Sequence, residues 1–358
     1  MFYVYFVIPL ILSLMSAGNP EERGIEAMWY TQLGFNNVRC DLCPRKCIIT
    51  DGGRGFCRVR ENQDGTLYSL VYGKPASVNI GPIEKAPLYH FNPGHRRLTL
   101  ATVGCNLKCK HCHNWHISQS SPEQIRYQSL TPEEVVERAK RLGVNSISFT
   151  YTEPTIFYEY MYDIATLARE QGIRTSMVSN GYISPEPLKK LVRVLDAVKI
   201  DLKAFTEQFY SEICGGQLAP VKKTLQVLRE EGVFFEIVNL VIPTLNDDPR
   251  EIEKMCLWIR DNLGDDIPIH FSRFHPSYRL TRLPATPVET LEMAVKIAQR
   301  VGLKYVYIGN VPGHRYNSTF CPGCNERLIH RVHFSVLDNN VVNGACRFCG
   351  YKLPGIWR

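Results

Sequence analysis

From about residue 98 to 310 the chain alternates short apolar runs with longer stretches in which apolar residues recur every three or four positions, the pattern of strands and amphipathic helices laid in turn. The runs 98–103, 146–151, 174–179, 197–202, 234–241, 269–274 and 305–309 read as strands. Thr131-Pro132-Glu133-Glu134 and Thr286-Pro287-Val288-Glu289 read as capping boxes with proline at the first helical position. Gly143, Gly172, Gly232 and Gly302 each stand where a left-handed residue would stop a helix before the next strand. One unit is being reused, which predicts a parallel α/β sheet. Six or seven units in about 210 residues suit a partial or complete (β/α) barrel, with a doubly wound sheet as the alternative. Chemically capable side chains fall at the C-terminal ends of at least five successive strands, which favours the barrel, where those ends converge on one mouth.

Outside that repeat the pattern changes. Residues 2–15 are almost all apolar and Ser16-Ala17-Gly18 suits a signal peptidase, but no Lys or Arg precedes Arg23, and the stretch is short for a bilayer span and broken by Pro9. Three expectations follow for residues 1–27: a natural start at Met28, a weak leader or anchor, or a hydrophobic extension docked on the domain. The rest divides into a cysteine-rich module (28–90), the barrel (91–312) and a zinc-ribbon-like tail (313–358).

The 358 residues are 44% apolar and 22% charged, which excludes a disordered chain, collagen and a disulfide miniprotein. Lys and Arg number 42 against 35 Asp and Glu, an excess that permits a polyanionic partner without demanding one. The 13 cysteines say more, because eleven fall in three tight groups. Short spacings aim several sulfurs at one small volume, as a metal requires, and suggest a reducing, cytoplasmic setting, with membrane anchoring by residues 2–15 as the alternative.

The central group, Cys105, Cys109 and Cys112, follows the first barrel strand directly after Gly104. Three thiolates on one loop can hold three irons of a 4Fe-4S cubane and leave the fourth open to a cofactor. A zinc knuckle completed by His113 or His116 is the alternative. Cys321, Cys324, Cys346 and Cys349 have two-knuckle zinc spacing, with a strand-like stretch over 330–337 between the pairs. Cys40, Cys43, Cys47 and Cys57 enclose Pro44 and a Gly52-Gly53-Arg54-Gly55 turn. Zinc and an auxiliary iron-sulfur cluster both fit four thiolates; zinc, as a structural lid, is slightly favoured. Cys214 and Cys256 read as small core residues.

The Cys105, Cys109, Cys112 spacing, with His111 before the last cysteine, resembles the CxxxCxxC motif of radical S-adenosylmethionine (SAM) enzymes. The resemblance implies that SAM chelates the open iron and that one electron cleaves it to methionine and a 5′-deoxyadenosyl radical. It further implies that Glu153, where the superfamily carries Gly-Gly-Glu, accepts from the SAM amine, that Asn180 bonds SAM oxygens, and that Lys203, in an Asp-Leu-Lys stretch shared with glycyl-radical-enzyme activases, pairs with the SAM carboxylate and is catalytic, with Asp201 anchoring beside it. A loop acid, a turn asparagine and a mouth ion pair are the plain readings of the same residues. His275 ranks first among the weaker cofactor candidates, before His270, Arg273, Asn239, Asn246 and Asn310. Over some 330 residues the chain is similar to the radical SAM component of the AmmeMemoRadiSam system, kin to pyruvate formate-lyase activating enzymes. The similarity rests on the Cys40–Cys57 group, the triplet running into His113-Asn114-Trp115, Tyr151-Thr152-Glu153-Pro154, Ser272-Arg273-Phe274-His275-Pro276, residues 305–313 and the terminal cysteine pairs. The expectation is an enzyme that abstracts hydrogen from a protein or other macromolecular substrate, alongside Memo-like and AMMECR-like proteins and a ferredoxin or flavodoxin reductant. A glycyl-radical-enzyme activase is the narrower alternative, and a metal-containing scaffold for nucleic acid or protein the one from another class.

Overall fold

The computed structural model describes residues 24–357, so the apolar stretch 2–15 and the Ser16-Ala17-Gly18 site lie outside the described residues. Its centre is an eight-stranded sheet of β1 (Ser77–Pro82), β2 (Arg96–Ala101), β3 (Ser146–Phe149), β4 (Arg174–Ser179), β5 (Ala197–Asp201), β6 (Phe234–Val241), β7 (Ile269–Arg273) and β8 (Val306–Gly309), neighbours in space as in sequence. Every pair is parallel except β1 with β2. Helices α1 (Pro132–Arg141), α2 (Tyr158–Glu170), α3 (Pro185–Leu191), α4 (Leu218–Glu230), α5 (Pro249–Leu263) and α6 (Val288–Val301) return the chain between strands β2 to β8. β3 and β8 are buried at all their positions, as strands covered on both faces must be. The strand order is that of a partial (β/α) barrel.

Most local signals act as expected. Thr131 accepts from the Glu134 amide while Glu134 accepts from the Thr131 amide, closing the capping box of α1. Gly143, Gly172, Gly232 and Gly302 all have positive φ. The second capping box does not form: Thr286 instead donates to the Val241 carbonyl and accepts from the Phe274 amide, and Pro287 takes the N-cap of α6. The hydroxyl is drawn inward because those groups lie at the ends of β6 and β7, where no ladder partner satisfies them. Strands beginning at 146, 197 and 269 stop one or two residues before the expected limits, the first because Tyr151 turns at φ 66°. β1 was not among the expected strands; at a sheet edge the missing N–H of Pro82 costs nothing. The stretch 330–337 is a hairpin of Arg327–Val332 and Ser335–Asn339, reversed at His333 with φ 56°.

Two small units pack on this frame. Before β1, two three-stranded antiparallel sheets with strands of two to four residues are tied to α2 by a buried ion pair, Arg60 Nη2 to Glu159 Oε2 at 2.5 Å. After β8 the tail is keyed by buried Arg331, which donates to the Tyr89 carbonyl at 2.7 Å and to Thr319 Oγ1 at 2.8 Å and lies 3.7 Å from the Glu84 carboxylate. Removing one partner of such a buried pair costs about 3–5 kcal/mol, so these contacts fix orientation strongly. Among the described residues no helix is long and apolar enough to cross a membrane.

Candidate active site

The triplet loop is built by its surroundings. At Gly104, φ is +95°, and a Cβ there would fall 2.7 Å from Val59 Cγ1 and 2.8 Å from the Cys57 carbonyl oxygen, so glycine alone lets β2 turn into the loop beneath the N-terminal module. Arg45 Nε grips the Asn106 carbonyl at 2.6 Å, and Asn106 Nδ2 donates to the Tyr182 carbonyl at 2.7 Å. The Lys108 and Lys110 amides donate to Cys214 and Ile213, and the Lys110 carbonyl accepts from Arg279. The backbone is thus held from four sides without using the sulfurs. The Leu107 amide points at Cys105 Sγ (3.4 Å), Asn180 Nδ2 at the same sulfur (3.8 Å), and Ser118 Oγ lies 3.3 Å from Cys112 Sγ.

Cys105, Cys109, Cys112, His111, Asn180, Asp201 and Lys203 line one cavity of about 330 Å³ at the mouth formed by the C-terminal ends of the strands. Burial pushes the Cys105 and Cys112 thiols up, so a metal must displace their protons. Cys109 moves the other way, because the Cys214 thiol donates to it and Lys203 lies near. Burial holds His111 down to about 3, with Lys203 adding to the effect. The imidazole is neutral, and its Nδ1 has no partner in the protein although it is buried. Such an orphan is satisfied by a bound water or by a ligand.

Alternation along β5 puts Lys199, Asp201 and Lys203 on one side. Asp201 Oδ1 takes Lys199 Nζ and its Oδ2 takes Lys203 Nζ at 3.2 Å. Burial opposes ionisation of Asp201, but the two lysines outweigh it and hold the carboxyl far below its usual range. For Lys203 burial again opposes the charge, and Asp201 overrides it. The trio carries one net positive charge facing the cavity.

Two candidate residues stand elsewhere. Glu153 is fully buried and does not line the cavity: it accepts from the Thr155 amide (3.0 Å), Ser179 Oγ (2.7 Å) and the Asn180 amide (2.8 Å). Three protein donors hold its carboxylate in place, the Asn180 amide among them. His275 lies in the adjoining groove with Arg273 and His333, which meets the cavity at His113 and Asn310. Cys214 is buried as expected, yet its thiol belongs to the site; no spacing rule brings position 214 to 109. Arg97 was also missed. It is 2% exposed, lines the cavity, and leaves Nε and Nη1 without partners. Burial brings it down to about 10, so it stays cationic at neutral pH. Lys199 could have been found by the same period of two that paired Asp201 with Lys203.

The flanking cysteines differ in geometry. The sulfurs of Cys321, Cys324, Cys346 and Cys349 all lie within 4.8 Å of one another, with Cys321 to Cys349 at 3.6 Å and Cys324 to Cys346 at 3.7 Å. Tetrahedral zinc with Zn–S bonds of about 2.3 Å needs sulfur separations of about 3.8 Å, so this quartet fits zinc. Among the described residues neither the N-terminal quartet nor the triplet meets that limit as a group.

Residues 99–256 match the Radical SAM superfamily. The chain is 49% identical over 330 residues to an uncharacterized protein of Methanocaldococcus jannaschii, covering 92% of this chain and 98% of the other. It is 26% identical over 167 residues to the pyruvate formate-lyase-activating enzyme of Clostridium pasteurianum, covering 44% of this chain and 67% of that one. Among solved structures, Streptococcus suis SuiB bound to S-adenosylmethionine aligns with a TM-score of 0.47 at 17% identity, over 64% of this chain and 53% of the other. The chain carries a radical SAM domain and is a radical SAM enzyme, a class whose cofactors are a 4Fe-4S cluster and SAM. The donor set suits them: soft sulfurs for iron, and beside them an unpartnered imidazole nitrogen and a net positive carboxylate–lysine trio for a zwitterionic ligand.

Proposed function

We propose that Cys105, Cys109 and Cys112 hold three irons of the cluster and that SAM occupies the cavity between them and the Lys199–Asp201–Lys203 trio. One observation carries this: three sulfurs, an orphaned buried His111 Nδ1 and a doubly lysine-flanked carboxylate share one cavity. When bound and reduced, the cluster supplies the electron that splits SAM into methionine and a hydrogen-abstracting 5′-deoxyadenosyl radical. The protein's part is to bind, orient and exclude water. Lys203 receives the SAM carboxylate while Asp201 keeps it charged and aimed. His111, held neutral, offers Nδ1 to a polar ligand atom. Glu153 fixes the Asn180 amide and so presents the Asn180 side chain. Arg97 adds an unpaired cation at the wall.

The substrate in this reading is a protein or other macromolecule, and the reductant a ferredoxin or flavodoxin. The working assembly is the AmmeMemoRadiSam system with Memo-like and AMMECR-like proteins in the cytoplasm. Residues 28–90, 91–312 and 313–358 act as N-terminal module, barrel and zinc ribbon, with β1 contributed to the sheet from the first. Reconstituted anaerobically and reduced with dithionite, the protein releases 5′-deoxyadenosine from SAM and Cys109→Ala does not; equal release by the variant overturns the assignment. The similarity to an activating enzyme favours one narrower reading, a glycyl-radical-enzyme activase. A glycyl signal in the electron paramagnetic resonance (EPR) spectrum of a mixture with a glycyl-radical partner tests it.

A further inference from the structure

The N-terminal quartet is not remote from the triplet. A Cβ on Gly104 would sit 2.8 Å from the carbonyl oxygen of Cys57, and Gly104 directly precedes Cys105. Backbone dimensions therefore bound the Cα atoms of Cys57 and Cys105 to within about 11 Å of each other. The contact is clamped on both sides: Arg45, between Cys43 and Cys47, holds the Asn106 and Gly215 carbonyls, and Arg58 holds the Gln119 carbonyl. Leu42 accepts from the Ser184 amide at 3.0 Å. The quartet is thus bolted to the triplet loop itself rather than to a distant face.

Backbone contacts gather the four cysteines: the Cys40 amide donates to the Cys47 carbonyl at 2.9 Å, the Lys46 amide donates to the Cys43 carbonyl at 3.1 Å, and a Cβ on Gly55, two residues before Cys57, would lie 3.8 Å from Cys47 Sγ. Beside Cys40 and Cys57 lies Arg60, 1% exposed, whose Nη2 binds Glu159 while Nε and Nη1 have no partner, a buried cation suited to a negatively charged thiolate centre. The C-terminal quartet converges to zinc dimensions and the N-terminal one does not. A cubane spreads its ligands more widely than zinc, because each sulfur sits on a separate iron.

We propose that Cys40, Cys43, Cys47 and Cys57 hold an auxiliary 4Fe-4S cluster that relays electrons to the triplet, in place of the structural zinc that spacing slightly favoured. One electron from a low-potential protein donor reduces the auxiliary cluster from the 2+ to the 1+ state. That electron then passes to the cluster on the triplet, returning the auxiliary cluster to 2+, with no proton or bond changed in either step. Zinc has no accessible redox state and could not serve. The relay rests on the triplet holding a cluster, so the test separates the two.

Three measurements on the full-length, anaerobically reconstituted protein decide it. Zinc near one per chain, from the C-terminal quartet, reports that each variant is folded. The Cys105→Ala/Cys109→Ala/Cys112→Ala variant should retain about four irons and, once reduced, an EPR signal that SAM does not perturb. Two zincs and no iron in that variant would overturn the auxiliary cluster while leaving dithionite-driven SAM cleavage by the unaltered protein intact. In Cys43→Ala/Cys47→Ala, the ratio of flavodoxin-driven to dithionite-driven 5′-deoxyadenosine release should fall about tenfold. A ratio equal to that of the unaltered protein would overturn the relay.

Discussion

Asp201→Asn removes one charge and nearly no volume, so its consequences can be worked from the trio. Lys199 and Lys203 side chains are 7% and 14% exposed, and Asp201 at 31% is the anion between them. The net charge there rises from one positive to two. Breaking a fully buried pair costs about 3–5 kcal/mol; the opening of Asp201 to the cavity reduces this to about 2–3 kcal/mol. In a chain of this size that lowers the melting temperature by about 4–6 °C, read at one scan rate on reconstituted protein. Lys199→Met/Asp201→Asn restores the single positive charge and should recover at least half of the loss. Saturating SAM should restore part of it in the single variant, because in the proposed reading its carboxylate faces Lys203. If the two substitutions prove additive within about 0.5 kcal/mol, Asp201 is not there to neutralise Lys199 and the electrostatic reasoning fails.

Glu153→Gln leaves at least one of three buried donors facing an amide NH₂, costing about 2–3 kcal/mol in urea unfolding and weakening SAM binding through Asn180; unaltered stability and affinity would show that Glu153 positions nothing. His90 is held down to about 4 by burial, which outweighs the pull of Glu236 in the other direction. Its two ring nitrogens contact the Pro354 carbonyl and the Tyr307 hydroxyl, so the neutral ring donates to the first and accepts from the second. Between pH 6.5 and about 4 the unfolded chain therefore binds the extra proton, and stability falls with acid by about 1.4 kcal/mol per unit. The urea midpoint of His90→Gln should fall less steeply over that window; parallel profiles would refute the assignment. Cys324→Ser should release one zinc and speed amide exchange in Arg327–Val332 and Ser335–Asn339 about hundredfold, leaving Ala197–Asp201 protected; unchanged protection would mean that zinc does not hold the tail.

Local chemistry made much of this protein legible in advance. Apolar periodicity, the Thr131 box and the helix-ending glycines depend on residues a few positions apart, and the cysteine groups lie on single loops or adjacent knuckles. Those features follow from the chain alone. What it left undecided required contacts across long separations. Thr286 abandons its helix for strand ends 45 and 12 residues away, Glu153 turns from the mouth to Ser179 and Asn180, and Cys214 reaches Cys109 because another segment brings it there. Arg97 is unpaired only because the fold buries it. Tertiary packing decided these because burial withdraws water, and each polar group must then find whichever partner the fold supplies or be left, like His111 Nδ1, without one.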